Sequence, residues 1–176
     1  MSNRKQIIPL FLLFIIIIAS VFTSYQTSIA EDKDVIVEID IIYGRGDDVD
    51  LMLDLARPAK GRGRFPALIF IFGGSWRSGS RQNYSTEIIQ AAERGYVAVT
   101  VDYSGLTNVR ESGKVKYPFP AQVYDVKCAV RWLRSNAKKY RIDPNSIGVV
   151  GWSSGGHLAL MLGLTDSSDG LEGECE

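Results

Sequence analysis

Histidine, cysteine and net charge are what this sequence has least of. Its 176 residues include one histidine and two cysteines, and 20 basic side chains balance 20 acidic ones. So few histidines and cysteines argue against a zinc centre, which needs several such ligands at characteristic spacing. The balanced charge leaves no net field that would attract the protein to nucleic acid or anionic lipid. We therefore expect neither a metal centre nor a nucleic-acid partner.

Internal repeats, low-complexity tracts and linkers are also absent from the sequence. Hydrophobic residues make up 45% and charged residues 23% of the chain, which is typical of globular proteins and excludes disordered and fibrous classes. A length of 176 residues suits a single domain.

The first thirty residues have the layout of a secretory signal peptide. Two basic residues precede the apolar run 7–19, and Ser28 and Ala30 place small side chains at the −3 and −1 positions of a cleavage site. Even extended to Phe22, the run is shorter than the ~20 residues of a spanning helix. We predict a cleaved signal peptide over residues 1–30, a secreted or periplasmic protein and no stable membrane span; the alternative is an uncleaved N-terminal membrane anchor.

Cys128 and Cys175 are the two cysteines. Export would permit a disulfide between them. Sequence alone cannot place two sulfur atoms within bonding distance, so a structural disulfide and two unpaired thiols both remain open.

Strand and helix patterns alternate through the predicted domain, residues 31–176. The first two strands form a hairpin, and the later three are continuous apolar runs typical of strands buried on both faces. The predicted strands cover residues 35–43, 51–56, 67–72, 96–101 and 147–150, and the predicted helices cover residues 84–94, 120–139 and 154–164. This alternation predicts an α/β fold, with a mostly parallel, doubly wound sheet and an antiparallel N-terminal hairpin.

A G-x-S-x-G motif, residues 151–155, lies where the last predicted strand ends and a helix begins. This strand-turn-helix context is typical of a nucleophile elbow, in which a strained turn lifts the serine hydroxyl above the sheet edge. Gly151 and Gly155 leave room for neighbouring backbone where a Cβ would clash. Ser153 is therefore the predicted catalytic nucleophile.

A second glycine-rich loop follows the first buried strand. Acyl transfer requires two amides directed at the oxyanion, one from the residue after the nucleophile and one from a loop at this position. Glycines allow such a loop to turn its N–H groups inward. We predict an oxyanion hole formed by Gly73, Gly74, Ser75 and Ser154, and Trp76 is a candidate for the lining of the acyl pocket.

Four motifs in order carry a resemblance to a known family: residues 73–79, 95–99, 120–127 and 151–159. Together they resemble the esterase/lipase branch of the α/β-hydrolases, in particular the bifunctional feruloyl/acetyl-xylan esterase-like (BD-FAE-like) proteins, over residues 35–176. The resemblance implies an α/β-hydrolase fold and hydrolysis of short-chain acyl, acetyl or feruloyl esters, on small molecules or polysaccharides. It implies an acyl-enzyme on Ser153 and no cofactor.

The sequence departs from the family in two ways. Phe72 stands where the family usually has a histidine that shapes the oxyanion loop. The acid and histidine expected after the nucleophile are missing. His157, four residues after Ser153, is poorly placed both to approach Ser153 and to be oriented by a carboxylate, and it resembles a structural residue of the family. Asp166 and Asp169 are predicted to be solvated loop acids.

Residues 171–176 resemble the middle of the family's domain. We therefore expect a domain that is incomplete at its C-terminus, truncated after the elbow helix, with the acid and histidine encoded beyond residue 176. One flank of the parallel sheet would then be an unpaired apolar edge prone to aggregation. Two other functions stay open: a serine peptidase of the prolyl-oligopeptidase type, which shares the elbow, and a non-catalytic pseudohydrolase. The sequence leaves the oligomeric state open.

Four further residues are predicted to be structural. Trp132 and Tyr140 are expected in the core, Asp102 is expected to brace a loop, and Asp125 is expected to form a salt bridge.

Overall fold

The structure is a computed structural model that describes residues 34–46, 49–105 and 116–175. The predicted signal peptide, residues 1–30, lies outside the described residues, and so does the tip of the predicted hairpin, residues 47–48. The division of the chain at residue 30 therefore stays a prediction.

Within these residues a single five-stranded sheet forms, in the order β1-β2-β4-β3-β5. The N-terminal pair β1/β2 is antiparallel, as is β2/β4, whereas β3 is parallel to both β4 and β5. The strands are β1 (Val35–Gly46), β2 (Val49–Pro58), β3 (Phe65–Ile71), β4 (Val97–Val101) and β5 (Ile142–Gly151). The predicted α/β sheet with an antiparallel N-terminal hairpin is confirmed, and within the described residues its strand pairs are two parallel and two antiparallel where mostly parallel pairs were predicted.

The helices follow the predicted positions with one difference. They are α1 (Ser85–Glu93), α2 (Ala121–Ser135), α3 (Ala137–Tyr140) and α4 (Ser154–Leu164), with short 3₁₀ helices at Arg81–Tyr84 and Ser167–Asp169. The helix predicted over residues 120–139 is interrupted at Asn136. The side-chain amide of Asn136 donates to the Trp132 carbonyl at 3.0 Å, and such local bonds to the backbone compete with helix continuation. Within the described ranges, no helix has the length and apolar composition needed to cross a membrane.

Side chains on alternate positions of the strands fill two separate cores, one on each face of the sheet. Helix α1 covers the smaller core, where Ile88 packs with Phe70 and Ala98. Helices α2 and α4 cover the larger core, which includes Ile69, Val99, Val126, Leu133 and Leu158. The sheet is thus covered by helices on both faces, as predicted.

Strand β5 corrects the prediction of a third strand buried on both faces. It lies at the edge of the sheet, its residues 147–149 are half-buried, and Val150 is 41% exposed. The strand begins earlier than predicted, with Ile142 paired to Phe65, and is interrupted before Ile147 pairs with Ala67. In this interruption the Asp143 carboxylate accepts a bond from the Asn145 amide at 3.1 Å.

Candidate active site

The predicted nucleophile lies on a strained turn between β5 and α4. Ser153 has φ 55° and ψ −120°, a conformation that side chains with a Cβ rarely adopt. The residue is exposed at the N-terminus of α4, where backbone N–H groups and the helix dipole favour negative charge. The predicted strand-turn-helix geometry of an elbow is therefore present, and the nucleophilic role of Ser153 stays a prediction.

The two motif glycines are required by close approach of backbone on either side of the turn. A Cβ on Gly151 would overlap the Gly155 carbonyl and lie 2.8 Å from the Gly156 nitrogen. A Cβ on Gly155 would overlap the Ile71 carbonyl and lie 2.6 Å from the Phe72 oxygen. Both distances are far inside van der Waals contact, so the steric prediction for these two glycines is confirmed.

The second glycine-rich loop, residues 72–80, packs directly against the elbow. A Cβ on Gly73 would lie 2.6 Å from the Trp152 oxygen and 3.1 Å from the Ser153 Cβ. Gly74 has φ 136°, and its carbonyl accepts bonds from the amides of Arg77 at 3.0 Å and Ser78 at 3.1 Å. The structure thus brings together two segments that the sequence separates by some eighty positions.

Of the other two predicted oxyanion residues, Ser154 directly follows Ser153 and Ser75 lies in the glycine-rich loop. Ser154 is the first residue of α4 and is 3% exposed, whereas Ser75 is exposed in the loop with φ 56°. Trp76 follows with φ 58°. Positive φ at successive non-glycine residues marks this loop as strained, a property that clusters at functional sites. The assignment of the oxyanion amides stays a prediction.

Sequence reasoning missed Tyr103, which lies directly after β4. Its hydroxyl donates to the Phe72 carbonyl at 3.0 Å, and its ring stacks on the Phe72 ring with centroids 4.4 Å apart. Burial raises the pKa of Tyr103, and the neighbouring Ser154 hydroxyl opposes that rise. The available signal was position, because β4 runs parallel to β3 and both end at the edge that carries the elbow.

An apolar hollow of about 270 Å³ lies beside the elbow helix, lined by Trp76, Phe119, Gln122, His157 and Leu158. The Trp76 ring meets the His157 ring edge to face, with centroids 5.3 Å apart. Trp76 therefore lies in a pocket wall next to the loop, as its predicted role requires. His157 forms part of the same wall, and its predicted structural role stays a prediction.

Comparison with known proteins assigns the family. The BD-FAE family model matches residues 53–176 of the chain. The chain belongs to the BD-FAE family. It is 36% identical to Esterase LipC of Mycobacterium tuberculosis over 140 residues, covering 76% of this chain and 31% of LipC.

Solved structures of Thermogutta terrifontis esterase 2 share the α/β-hydrolase fold of this BD-FAE chain. The native form matches with a TM-score of 0.62 and 35% identity, over 70% of this chain and 42% of the esterase. The form phosphorylated by paraoxon matches with a TM-score of 0.60 and 35% identity, over 70% of this chain and 45% of the esterase. The chain thus spans less than half of the length of LipC and of this esterase.

The exit of the glycine-rich loop in this BD-FAE chain is fixed by a buried arginine. Arg81, 8% exposed, pairs with the carboxylates of Asp40, Asp54 and Asp102, with 2.9 Å between its Nε and the Asp54 Oδ1. The Arg81 carbonyl accepts a bond from the Thr100 hydroxyl at 2.8 Å. Asp102 therefore braces this loop, as predicted. Burial raises the pKa of Asp102, and Arg81 opposes that rise.

A disulfide attaches the segment after α4 to helix α2. Cys128 and Cys175 form a disulfide, with 5.5 Å between their Cα atoms. Of the two possibilities that the sequence left open, a disulfide and two unpaired thiols, the structure has the disulfide. Glu172, in the same segment, pairs with Lys127 and Arg131 of α2. The segment is thus held by a covalent bond and two ion pairs.

The remaining acidic residues have structural contacts. Asp125 accepts a bond from the Ser104 amide at 2.7 Å. Asp166 and Asp169 are exposed and cap the short helix that begins after Asp166, so the prediction of solvated loop acids is confirmed. Trp132 and Tyr140 pack together in the larger core with ring centroids 5.4 Å apart. Among the described residues, no group of three or more His, Cys, Asp or Glu side chains is placed to hold a metal ion.

Proposed function

We propose that this chain carries the nucleophile and oxyanion hole of a carboxylic ester hydrolase. The observation that supports the proposal most directly is the contact between the two segments: Gly73 lies against Ser153, on a strained turn at the N-terminus of α4. LipC and the T. terrifontis protein are both named esterases. Phosphorylation of the latter by paraoxon, an organophosphate ester, is the behaviour of an enzyme with a nucleophilic side chain.

In the proposed reaction the Ser153 hydroxyl attacks the acyl carbon of the ester. The amide of Ser154, with that of Gly74 or Ser75, stabilises the oxyanion of the tetrahedral intermediate. Collapse of the intermediate releases the alcohol and leaves an acyl group on Ser153, and water then cleaves this acyl-enzyme.

A histidine base must take the proton from Ser153 and return it to the leaving alcohol. We place this base, and the acid that orients it, outside the described residues. His157 is the single histidine of the sequence, and its ring packs against Trp76 in a pocket wall. That position supports a role in the shape of the site.

The apolar hollow beside Trp76 supports the assignment of substrates as esters of the acetyl or feruloyl type, whose acyl part is short or carries one aromatic ring. Its lining by Trp76, Phe119 and Leu158 favours burial of apolar groups, and a hollow of about 270 Å³ is at the small end of ligand pockets. We expect acetyl, butyryl and feruloyl esters to be cleaved and long-chain acyl esters to be cleaved poorly.

We also propose that residues 1–30 direct export and are then removed. The Cys128–Cys175 disulfide supports this proposal, since disulfides persist in secreted and periplasmic proteins and are rare in reducing compartments. Sequencing of the N-terminus of exported protein tests it: a mature chain starting at Glu31 is expected, and an intact Met1 on membrane-bound protein supports the anchor instead.

The deciding experiment is Ser153→Ala in the full-length protein, with Ser135→Ala as the matched control. Ser135 is exposed at the end of α2, and its hydroxyl donates to the nearby Trp132 carbonyl and accepts a bond from the Asn136 side-chain amide. Ester hydrolysis is expected to fall by at least about a thousandfold in Ser153→Ala, as for other serine nucleophiles, and labelling by a fluorophosphonate probe is expected to disappear. Ser135→Ala should retain both.

Three results would contradict the proposal in distinct ways. Retained ester hydrolysis in Ser153→Ala excludes Ser153 as the nucleophile. Faster cleavage of dipeptide amides than of esters favours a peptidase of the prolyl-oligopeptidase type. A folded protein that neither hydrolyses esters nor reacts with the fluorophosphonate is a pseudohydrolase.

A further inference from the structure

The hydroxyl of the buried Tyr103 bonds one of the two segments that form the proposed site and neighbours the other. Tyr103 is 7% exposed and Phe72 is 5% exposed. The Tyr103 hydroxyl donates to the Phe72 carbonyl at 3.0 Å, and the two rings stack with an angle of 18° between their planes. The start of the glycine-rich loop is therefore fixed both by ring packing and by one directed hydrogen bond.

The hydrogen bond acts on a peptide group that belongs to the site. The Phe72 carbonyl and the Gly73 N–H are parts of one planar peptide unit and point in opposite directions. A bond that fixes the Phe72 oxygen therefore fixes the plane of the 72–73 peptide, from which the loop continues to Gly74 and Ser75, the residues whose amides are the proposed donors. Gly73 and Gly74 gain little restraint from their own dihedral preferences, so the restraint must come from a neighbour.

Tyr103 itself is held on a rigid support. The preceding residue, Asp102, donates its amide to the Met52 carbonyl at 2.8 Å, and the Asp102 carbonyl accepts a bond from the Tyr43 hydroxyl. The Asp102 carboxylate pairs with Arg81 at the far end of the same loop. Strand β4 thus fixes the loop at its start through Tyr103 and at its end through Asp102.

Ser154, in the second segment, is a neighbour of the same hydroxyl. Ser154, whose amide is the other proposed oxyanion donor, has a buried side chain that makes no aligned hydrogen bond within the described residues. Burial raises the pKa of Tyr103, and the neighbouring Ser154 hydroxyl opposes that rise. Tyr103 therefore bonds the loop directly and has Ser154 of the elbow as a neighbour.

We propose that Tyr103 is a positioning residue for the oxyanion hole, whose hydroxyl orients the 72–73 peptide relative to the amide of Ser154. The inference rests on the proposed ester hydrolysis. It assigns to Tyr103 no contact with the substrate, so its effect is on the transition state, in which the oxyanion forms, and is small on the bound ester.

The test is Tyr103→Phe in the full-length protein, a change that keeps the ring stack and removes the hydroxyl. With rates normalised to active sites titrated with a fluorophosphonate, kcat is expected to fall about ten- to a hundredfold, less than the ~10²–10³ lost with a whole oxyanion donor. KM is expected to change less than about twofold. A trifluoromethyl ketone forms a tetrahedral adduct on the serine, and its inhibition constant is expected to rise by the same factor by which kcat/KM falls.

Tyr140→Phe is the matched control, because Tyr140 is also buried, at 2% exposure, and its hydroxyl bonds to Glu38 and Lys139, away from the elbow. It should leave kcat, KM and the inhibition constant unchanged. An unchanged kcat per titrated site in Tyr103→Phe overturns the inference, and so does a loss that lies only in the fraction of titratable sites, which is the signature of a purely structural role. If Ser153→Ala abolishes hydrolysis in the same assays, such a result contradicts the role of Tyr103 and leaves the proposed function intact.

Discussion

Gly155 lies so close to the main-chain carbonyl of Ile71 that a Cβ at this position would overlap the carbonyl oxygen. The contact joins the first turn of α4 to the end of β3. Because the glycine-rich loop begins where β3 ends, this approach also sets the distance between that loop and Ser153. A steric requirement at one glycine therefore determines whether the two halves of the proposed site meet.

Gly155→Ala is expected to lower the free energy of unfolding by about 1–3 kcal/mol, because the added methyl group must displace backbone. Gly163→Ala is the control on the same helix: nothing lies within 4 Å of its added Cβ, and alanine should stabilise the helix by roughly 0.5–1 kcal/mol. Urea unfolding followed by circular dichroism measures both. Equal effects of the two substitutions would contradict the steric account.

The positive φ of Ser153 stores backbone strain. Replacement by glycine removes the Cβ and relieves about 1–3 kcal/mol of strain, against roughly 0.5–1 kcal/mol of extra entropy in the unfolded chain. Ser153→Gly is therefore expected to be about 1 kcal/mol more stable than Ser153→Ala, which keeps the Cβ and hence the strain. Both variants lack the hydroxyl, so a comparison of their unfolding midpoints isolates the backbone effect, and a less stable glycine variant would show that the turn is unstrained.

Replacement of the buried Arg81 is expected to lower the free energy of unfolding strongly. Its side chain is 9% exposed and pairs with Asp54, whose side chain is 7% exposed. Arg81→Met leaves that carboxylate buried and unpaired, which costs about 3–5 kcal/mol. Arg131→Met should cost about 0–1 kcal/mol, because Arg131 pairs with Glu172 at 3.4 Å and both side chains are at least a third exposed. Thermal unfolding of the two variants measures the difference, and similar midpoints would contradict it.

Loss of the Cys128–Cys175 disulfide should destabilise the chain appreciably. The bond spans 47 positions of sequence, for which loop-closure entropy gives up to about 4 kcal/mol. Dithiothreitol is expected to lower the unfolding midpoint of the natural protein. The unfolding midpoint of a variant with alanine at both cysteines should not change when dithiothreitol is added. Detection of two free thiols per chain in unreduced, denatured protein would show that the bond does not form.

The sequence predicted the elements that depend on local chemistry. Helix α4 was predicted at residues 154–164 and lies there, because the G-x-S-x-G motif marks the turn that precedes it. The helix predicted over residues 84–94 is Ser85–Glu93 in the structure, and Gly95 follows it with φ 90°, a value that glycine adopts without strain. Strand β1 was less accurate: it carries a bulge between Glu38 and Ile41, with Asp40 at φ 57°, and no local pattern indicates that its amide bonds to Asp54, at 3.0 Å.

The sequence by itself determined the α/β fold class, the hairpin, and the strained turn at Ser153, because residue spacing and glycine sterics act over a few positions. Only the tertiary structure decided that Gly73 meets Ser153, that Tyr103 bonds the Phe72 carbonyl and that the two cysteines pair. It also placed β5 at the edge of the sheet. The physical reason is the spatial order of the strands. The neighbours β2-β4-β3-β5 bring the ends of β3, β4 and β5 together, and the numbers of residues that separate those ends along the chain carry no information about that order.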